Sequence, residues 1–187
     1  METKDIIIIG GGAAGLMASC AAAHVLKKRG SVLVLEGNAK LGRKLLATGN
    51  GRCNLTNLDL SPVHYHGQDA GFARAALSRF DGNTTLDFFH ALGLLTAAEP
   101  SGRVYPLSDQ SNSVVDVLRF AAAQAGVQLV CGFDAQSVKK KARGYQVTGA
   151  DGSAYFGDKL IVWGAGYEPQ RGDVVIVDSY TAYGKPL

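Results

Sequence analysis

Four consecutive isoleucines, Ile6 to Ile9, stop at Gly10-Gly11-Gly12, and an alanine- and leucine-rich stretch runs from Ala13 to Arg29. No other junction constrains the fold as tightly. A continuous β-branched run suits a strand buried on both faces of a parallel sheet. The stretch after it has no proline, ends in Lys27, Lys28 and Arg29, and is followed by Gly30. That is how a helix closes when cations sit at its negative end and a glycine stops it. Ser31 to Leu35 returns to strand composition, so strand, glycine turn, helix and strand fit the roughly thirty residues of a right-handed βαβ unit.

The glycines at the junction fall as Gly10-x-Gly12-x-x-Gly15. Gly10 permits the tight turn, Gly12 lets main chain approach a pyrophosphate, and Gly15 lets the helix pack closely on the strand. Amides at the start of the helix, around Ala13 and Ala14, face the phosphates. Glu36 follows the second strand roughly twenty residues on, where a carboxylate accepts hydrogen bonds from both ribose hydroxyls. Its charge repels a 2′-phosphate, which argues against NADP in this site. Glycines alone would indicate only a tight turn; strand, helix and acid together indicate a bound dinucleotide.

Glu36 to Pro62 is rich in glycine and asparagine and reads as a long loop, with one helical turn around Arg43 to Ala47; loops of that length are usually functional or mobile. Ala70 to Phe80, Thr84 to Leu94 (capped by Asn83) and Ser113 to Ala125 read as helices. Val127 to Cys131, Ala135 to Lys139, Tyr145 to Thr148 and Ser153 to Phe156 read as short strands. Turns at Gly144 and Asp151-Gly152 fold the last three into an antiparallel meander. Lys159 to Trp163 reads as a final buried strand.

With 187 residues, 47% of them hydrophobic, the chain suits one domain. A net charge of +3, without aromatics interleaved among the basic residues, favours a small-molecule cofactor and substrate and argues against nucleic acid. The basic run Lys139 to Lys141 with Arg143 reads as a solvated hairpin edge. Cys20, Cys53 and Cys131 form no spaced pair, which points to a reducing, cytoplasmic setting. A disulfide-reductase mechanism is not expected of Cys53, which has no partner cysteine nearby. His24, His64, His66 and His90 lack the company a metal site needs. Residues 6–26 superficially resemble an export signal, but the leader Met-Glu-Thr-Lys-Asp is not net basic and glycines break the apolar run, so neither export nor membrane insertion is expected.

The loop Lys40 to Asn57 combines cations with small residues and gives main chain room to lie against a flat ring and its phosphates. Together, Gly10 to Gly15, Leu35-Glu36, Gly42-Arg43-Lys44, Gly49-Asn50-Gly51-Arg52-Cys53-Asn54 and Gly102-Arg103-Val104-Tyr105-Pro106 resemble the BaiN-like bacterial flavoproteins, over about Ile6 to Val162. The resemblance implies an α/β, Rossmann-like FAD domain of glutathione-reductase type: a parallel sheet, an antiparallel β-meander and a helical insertion. It implies FAD as cofactor and NAD(P)H as transient electron donor. Gly10, Gly12, Ala13, Ala14 and Gly15 would take the pyrophosphate, Glu36 with Gly37 the adenosine ribose, and Ala135 the adenine through its main chain. Arg43, Lys44, Asn50, Arg52, Cys53 and Asn54 would lie along the flavin side.

Members of that family are about twice as long, so this chain is expected to be a truncated oxidoreductase lacking the substrate domain; a noncatalytic dinucleotide-binding remnant is the alternative. Where the family has an Ala-Thr-Gly-Gly type turn, this chain has Trp163-Gly164-Ala165-Gly166. From Tyr167 to Leu187 it resembles an internal segment of type I signal peptidases, without their nucleophilic serine or general-base lysine. The expected division is therefore 1–166, an incomplete FAD-binding domain, and 167–187, a β tail of different origin without peptidase activity.

Overall fold

The computed structural model describes residues 2–27, 29–67, 70–163 and 174–176. The chain divides into two compact units, residues 1–44 with 118–187 and residues 45–117. In chain order, β1 (Glu2–Ile9), α1 (Ala13–Leu26), β2 (Val32–Glu36) and α2 (Arg43–Ala47) come first. β3 (Thr56–Asn57), α3 (Arg74–Leu77), α4 (Gly82–Ala91), β4 (Thr96–Ala98), β5 (Arg103–Pro106) and α5 (Ser111–Gln124) follow. The chain closes with β6 (Gln128–Cys131), β7 (Ala135–Lys140), β8 (Tyr145–Gly149), β9 (Ala154–Trp163) and β10 (Val174–Ile176).

In the first unit the sheet order is β6-β2-β1-β9-β8-β7, with β10 also on β9. β6, β2, β1, β9 and β10 run parallel; β7 and β8 complete an antiparallel meander with β9. The isoleucine run is central because both faces of β1 are covered. Ile7, Leu33 and Leu35 pack with Phe133, Tyr145 and Val147 from the meander side. Ile8, Val32 and Val34 pack with Ala23 of α1 and Ala122 of α5. Burying each such aliphatic side chain stabilises the fold by about 1.5–3 kcal/mol. A polar clasp fixes the entry of β2: Asp5 accepts from the main-chain N–H of Ser31 at 2.7 Å and from its hydroxyl at 2.8 Å.

Three elements differ from the sequence reading. Helix α1 stops at Leu26, where Lys27 adopts the left-handed conformation (φ 48°) and its N–H bonds back to Ala23 and His24. The glycine at position 30 is therefore not the stop. The two strands expected over Ser153–Phe156 and Lys159–Trp163 are one strand, β9. Its first half pairs with both β8 and β1 and its second half with β1 and β10. Gly157 makes this continuity possible, since a Cβ there would lie 2.7 Å from Ile7 Cγ1. Of the tail, Val174–Ile176 pairs in parallel with Ile161–Trp163; the turn at 164–166 and the remaining tail lie outside the described residues.

The second unit is less helical than expected. Residues 70–80 form a 3-10 turn and the single turn α3, and β3-β5-β4 is an antiparallel sheet that periodicity did not reveal. Its strands are two to four residues long, too short to show alternation. The β4–β5 connection is a proline turn in which Gly102 (φ 81°) donates to the Glu99 carbonyl at 2.8 Å. Helix α4 is capped by Asp81, not Asn83: the Asp81 carboxylate accepts from the Thr84 N–H at 2.8 Å.

That bond, the largest cause, holds the Asp81 carboxyl below its ordinary 3.8. Because the folded value is depressed, its stabilising effect is complete above the ordinary value and fades as the pH falls through the folded one. An Asp81→Asn variant keeps a capping oxygen, so its melting midpoint is expected to fall less steeply with acidification than the parent's. Midpoints followed from neutral into acid check this, and parallel curves for the two proteins would refute it.

Candidate dinucleotide site

The glycine turn is locked from three sides. Gly10 (φ 105°) donates from its N–H to the Leu35 carbonyl at 2.8 Å, tying the turn to the end of β2. A Cβ on Gly15 would sit 1.8 Å from the Gly10 carbonyl oxygen, so α1 approaches the turn as only glycine allows. A Cβ on Gly11 would meet Leu41 Cδ2 at 2.4 Å and Glu36 Cβ at 3.0 Å, and the Gly11 carbonyl accepts from the Gly42 N–H at 2.8 Å. Gly11 occupies a position the fingerprint leaves free, and only its tertiary neighbours show that a side chain there would have to displace the Leu41 methyl and crowd Glu36.

Helix α1 begins at an extended Gly12 (φ −81°, ψ −166°) with no side-chain cap and no acidic residue in its first turn. Its first internal bond is Leu16 N–H to the Gly12 carbonyl, 2.9 Å. The amides of Ala13, Ala14 and Gly15 precede that bond, so they have no partner within the helix. Asp81 does for α4 what no side chain does here, and a ligand phosphate meets the same need.

Glu36 is 7% exposed. Its Oε2 accepts from the Gly11 N–H at 2.7 Å; Oε1 accepts from the Asn38 main-chain N–H at 2.8 Å and from Asn38 Nδ2. The carboxylate thus faces the glycine turn, and three of its roughly four acceptor positions are used by the chain itself. Arg43 Nη1 donates to Asn38 Oδ1 at 3.1 Å, which draws Arg43 to the same corner. The Glu36 carbonyl accepts from Phe133 N–H at 3.0 Å and the Asn38 carbonyl from Gly132 N–H at 2.9 Å. Gly37 is exposed beside Phe133 and Asp134, and Ala135 opens β7 half-buried against the Phe133 cluster. The first unit therefore gathers Gly10 to Gly15, Glu36, Gly37, Arg43 and Ala135 around the carboxyl ends of β1, β2 and β6. Lys44 follows Arg43 in α2.

Asn50, Arg52, Cys53 and Asn54 belong to the second unit, on a loop wound by positive φ at Gly49, Asn50, Gly51 and Cys53. The Arg52 guanidinium lies 3.9 Å from the Tyr105 ring centroid and pairs with Glu99 (2.9 Å) and Asp109. Its bonds to Asp109 and then Glu99 push its pKa above the ordinary value. With its amide nitrogen turned toward the sheet, Asn54 donates to the carbonyls of Thr56 (2.9 Å) and Val104 (3.2 Å). Gly49, Asn50, Arg52, Asn54, Arg103 and Tyr105 line an open hollow of about 500 Å³. No motif marked Glu99 or Asp109, because their link to Arg52 crosses 47 and 57 residues.

Cys53 is 2% exposed, and burial, partly opposed by a bond to Thr48, pushes its thiol up. A raised thiol pKa means little thiolate and slow chemistry. A thiol reagent on the native chain is expected to label exposed Cys131 first and Cys53 only after unfolding. Mass mapping of the labelled peptides checks this; equal early labelling would contradict it.

A parallel sheet with helices on one face, a meander on the other and a phosphate-ready helix start beside a carboxylate define a dinucleotide-binding Rossmann domain. A family model described as the HI0933-like protein Rossmann domain matches residues 4–174. The chain belongs to that family. It is 42% identical over 155 residues to a 3-dehydro-bile acid delta(4,6)-reductase of Clostridium scindens, covering 83% of this chain and 37% of the relative. It is 32% identical over 162 residues to a ribosomal RNA dihydrouridine synthase of Escherichia coli, covering 87% of this chain and 39% of the relative. The chain thus spans less than two fifths of the length of either. Among solved structures, 88% of it overlays 46% of the 3-ketosteroid-delta4-(5alpha)-dehydrogenase of Rhodococcus jostii RHA1, with a TM-score of 0.62 at 16% identity. It also overlays 57% of the Thermovibrio ammonificans THI4 chain, with a TM-score of 0.55 at 15% identity and 86% of this chain covered. At these identities the likeness is one of fold.

Proposed function

We propose that this domain holds FAD and forms the cofactor-binding part of an oxidoreductase that takes hydride from NAD(P)H and reduces a small organic substrate. The observation that carries the reading is the uncapped start of α1 beside the Glu36 carboxylate. The first unit fits the group: Ala13, Ala14 and Gly15 amides meet the diphosphate, and the remaining acceptor position on Glu36 meets the ribose. Bound flavin supplies two-electron redox chemistry, while the protein positions it and tunes its surroundings. FAD rather than NAD is supported by the resemblance carried on the Gly42–Asn54 loop, which an NAD domain does not need. The greater identity to a bile-acid reductase than to an RNA-modifying enzyme supports a small apolar substrate over nucleic acid. The wide spacing of the three cysteines supports a cytoplasmic setting. Among the described residues no helix is long and apolar enough to cross a membrane.

Titration of the purified chain with FAD, followed by the flavin's visible band and fluorescence, is expected to show saturable binding; its absence would sink the reading. Stabilisation by NADH but not FAD in a thermal shift would instead identify an NAD domain. Anaerobic NADH or NADPH is then expected to bleach bound flavin. Flavin that binds but is never reduced would favour the noncatalytic remnant.

A further inference from the structure

We propose a second small-molecule site in the first unit, at the end of the sheet away from the glycine turn, for an amphiphilic anion: an apolar body with one carboxylate, sulfonate or phosphate head. The site needs no dinucleotide, and none of its residues belongs to the glycine turn. It forms where the β7–β8 hairpin presses on β9. Lys141 N–H closes the hairpin on the Gly144 carbonyl at 3.0 Å. Gly144 (φ 72°) comes so near β9 that a Cβ there would lie 2.2 Å from the Gly157 carbonyl oxygen and 2.9 Å from Asp158 Cα.

Beside this contact lies a hollow of about 390 Å³, within the size range of small-molecule sites. Ile6 and Ile161, both half-buried, and the buried Leu160 give it an apolar floor. Lys140, Lys141 and Lys159 line the same hollow. Lys140 Nζ lies 5.8 Å from the centroid of the Tyr145 ring, itself part of the wall. Asp158 is also a lining residue, so among the described residues the lining carries three lysines to one aspartate, and the balance favours an anion.

Lys159 is what separates this site from a solvated hairpin edge. Lys139 to Lys141 with Arg143 lie on and beside the edge strand β7, where lysines discourage strand pairing. Lys159 lies outside the hairpin, on β9 between the end of its pairing with β8 at Gly157 and the start of its pairing with β10 at Ile161, sixteen or more residues away in sequence, so the basic lining joins two separate segments. Lys141 and Lys159 are exposed and form no ion pair among the described residues. The apolar floor distinguishes the site from a polyanion surface, which needs cations but no hollow. Along β1, Ile6 is on the order of 13 Å from Gly10 at about 3.3 Å per residue, so occupancy need not disturb the cofactor.

The test uses the full chain, ¹⁵N-labelled and without flavin, titrated with dodecanoate below its micelle concentration. Saturable shifts are expected for the amides of Lys141, Gly144, Lys159 and Ile161. Dodecanol is expected to bind at least tenfold more weakly. The paired variants Lys141→Glu with Lys159→Glu, and Lys141→Gln with Lys159→Gln, are expected to weaken dodecanoate at least tenfold with unchanged melting midpoints. The proposal is overturned by no saturable binding, by shifts elsewhere, by equal affinity for dodecanol, or by undiminished binding in the Gln pair. Shifts at these amides with an RNA hairpin but not with dodecanoate would reassign the patch to polyanions. Cosedimentation with phosphatidylglycerol vesicles without dodecanoate binding would reassign it to a lipid surface. Either result also overturns the proposal, and neither bears on FAD.

Discussion

Gly15→Ala is expected to remove measurable FAD binding and to lower the melting midpoint by roughly 5–10 °C, from about 3 kcal/mol of overpacking and the size scaling of melting shifts. The clash is with backbone, not with a side chain that can rotate. A Cβ at position 15 would lie 1.8 Å from the Gly10 carbonyl oxygen and 3.0 Å from its carbon. Relief requires α1 to lift from the turn or Gly10 to rotate its peptide. Either movement takes the amides of Ala13 and Ala14 away from the phosphate position, so affinity and stability fall together. Circular-dichroism melting and flavin titration of the variant measure both. A variant that binds FAD as the parent does would show that the helix start is not where phosphate sits.

Glu36→Gln should cost about 1–3 kcal/mol without cofactor and at least tenfold in FAD affinity, because a buried donor is left facing another donor. The carboxylate accepts from Gly11 N–H at 2.7 Å, from Asn38 N–H at 2.8 Å and from Asn38 Nδ2. An amide has one acceptor oxygen; its NH₂ must confront either Gly11 or the Asn38 pair. The stability loss without ligand is a consequence of the chain's own hydrogen bonds. A side chain serving only the ribose would lose affinity with an unchanged unliganded midpoint, and that outcome would remove Glu36 from the role of holding the turn.

Much of the first unit was legible because its signals are local. Ile6 to Ile9 announces a strand by composition, Gly10 to Gly15 a turn and helix start by spacing, and Asp151-Gly152 a hairpin. The second unit was harder to read. Thr56–Asn57 is too short for alternation, and a proline turn hides the pairing of Thr96–Ala98 with Arg103–Pro106. Composition does not single out Asp81 as the cap, because Asn83 is also a capping residue. The choice between them rests on which one takes extended backbone at the helix start.

The sequence alone determined the βαβ unit, its glycine turn and the acid after the second strand, since each follows from steric and hydrogen-bonding rules acting over a few residues. Tertiary structure decided what that acid holds, what crowds Gly11, that β9 is one strand serving both sheet partners, and that Lys141 and Lys159 line one hollow. Those outcomes join residues far apart in the chain, and no local pattern encodes which distant atoms a folded backbone brings within hydrogen-bonding or van der Waals reach.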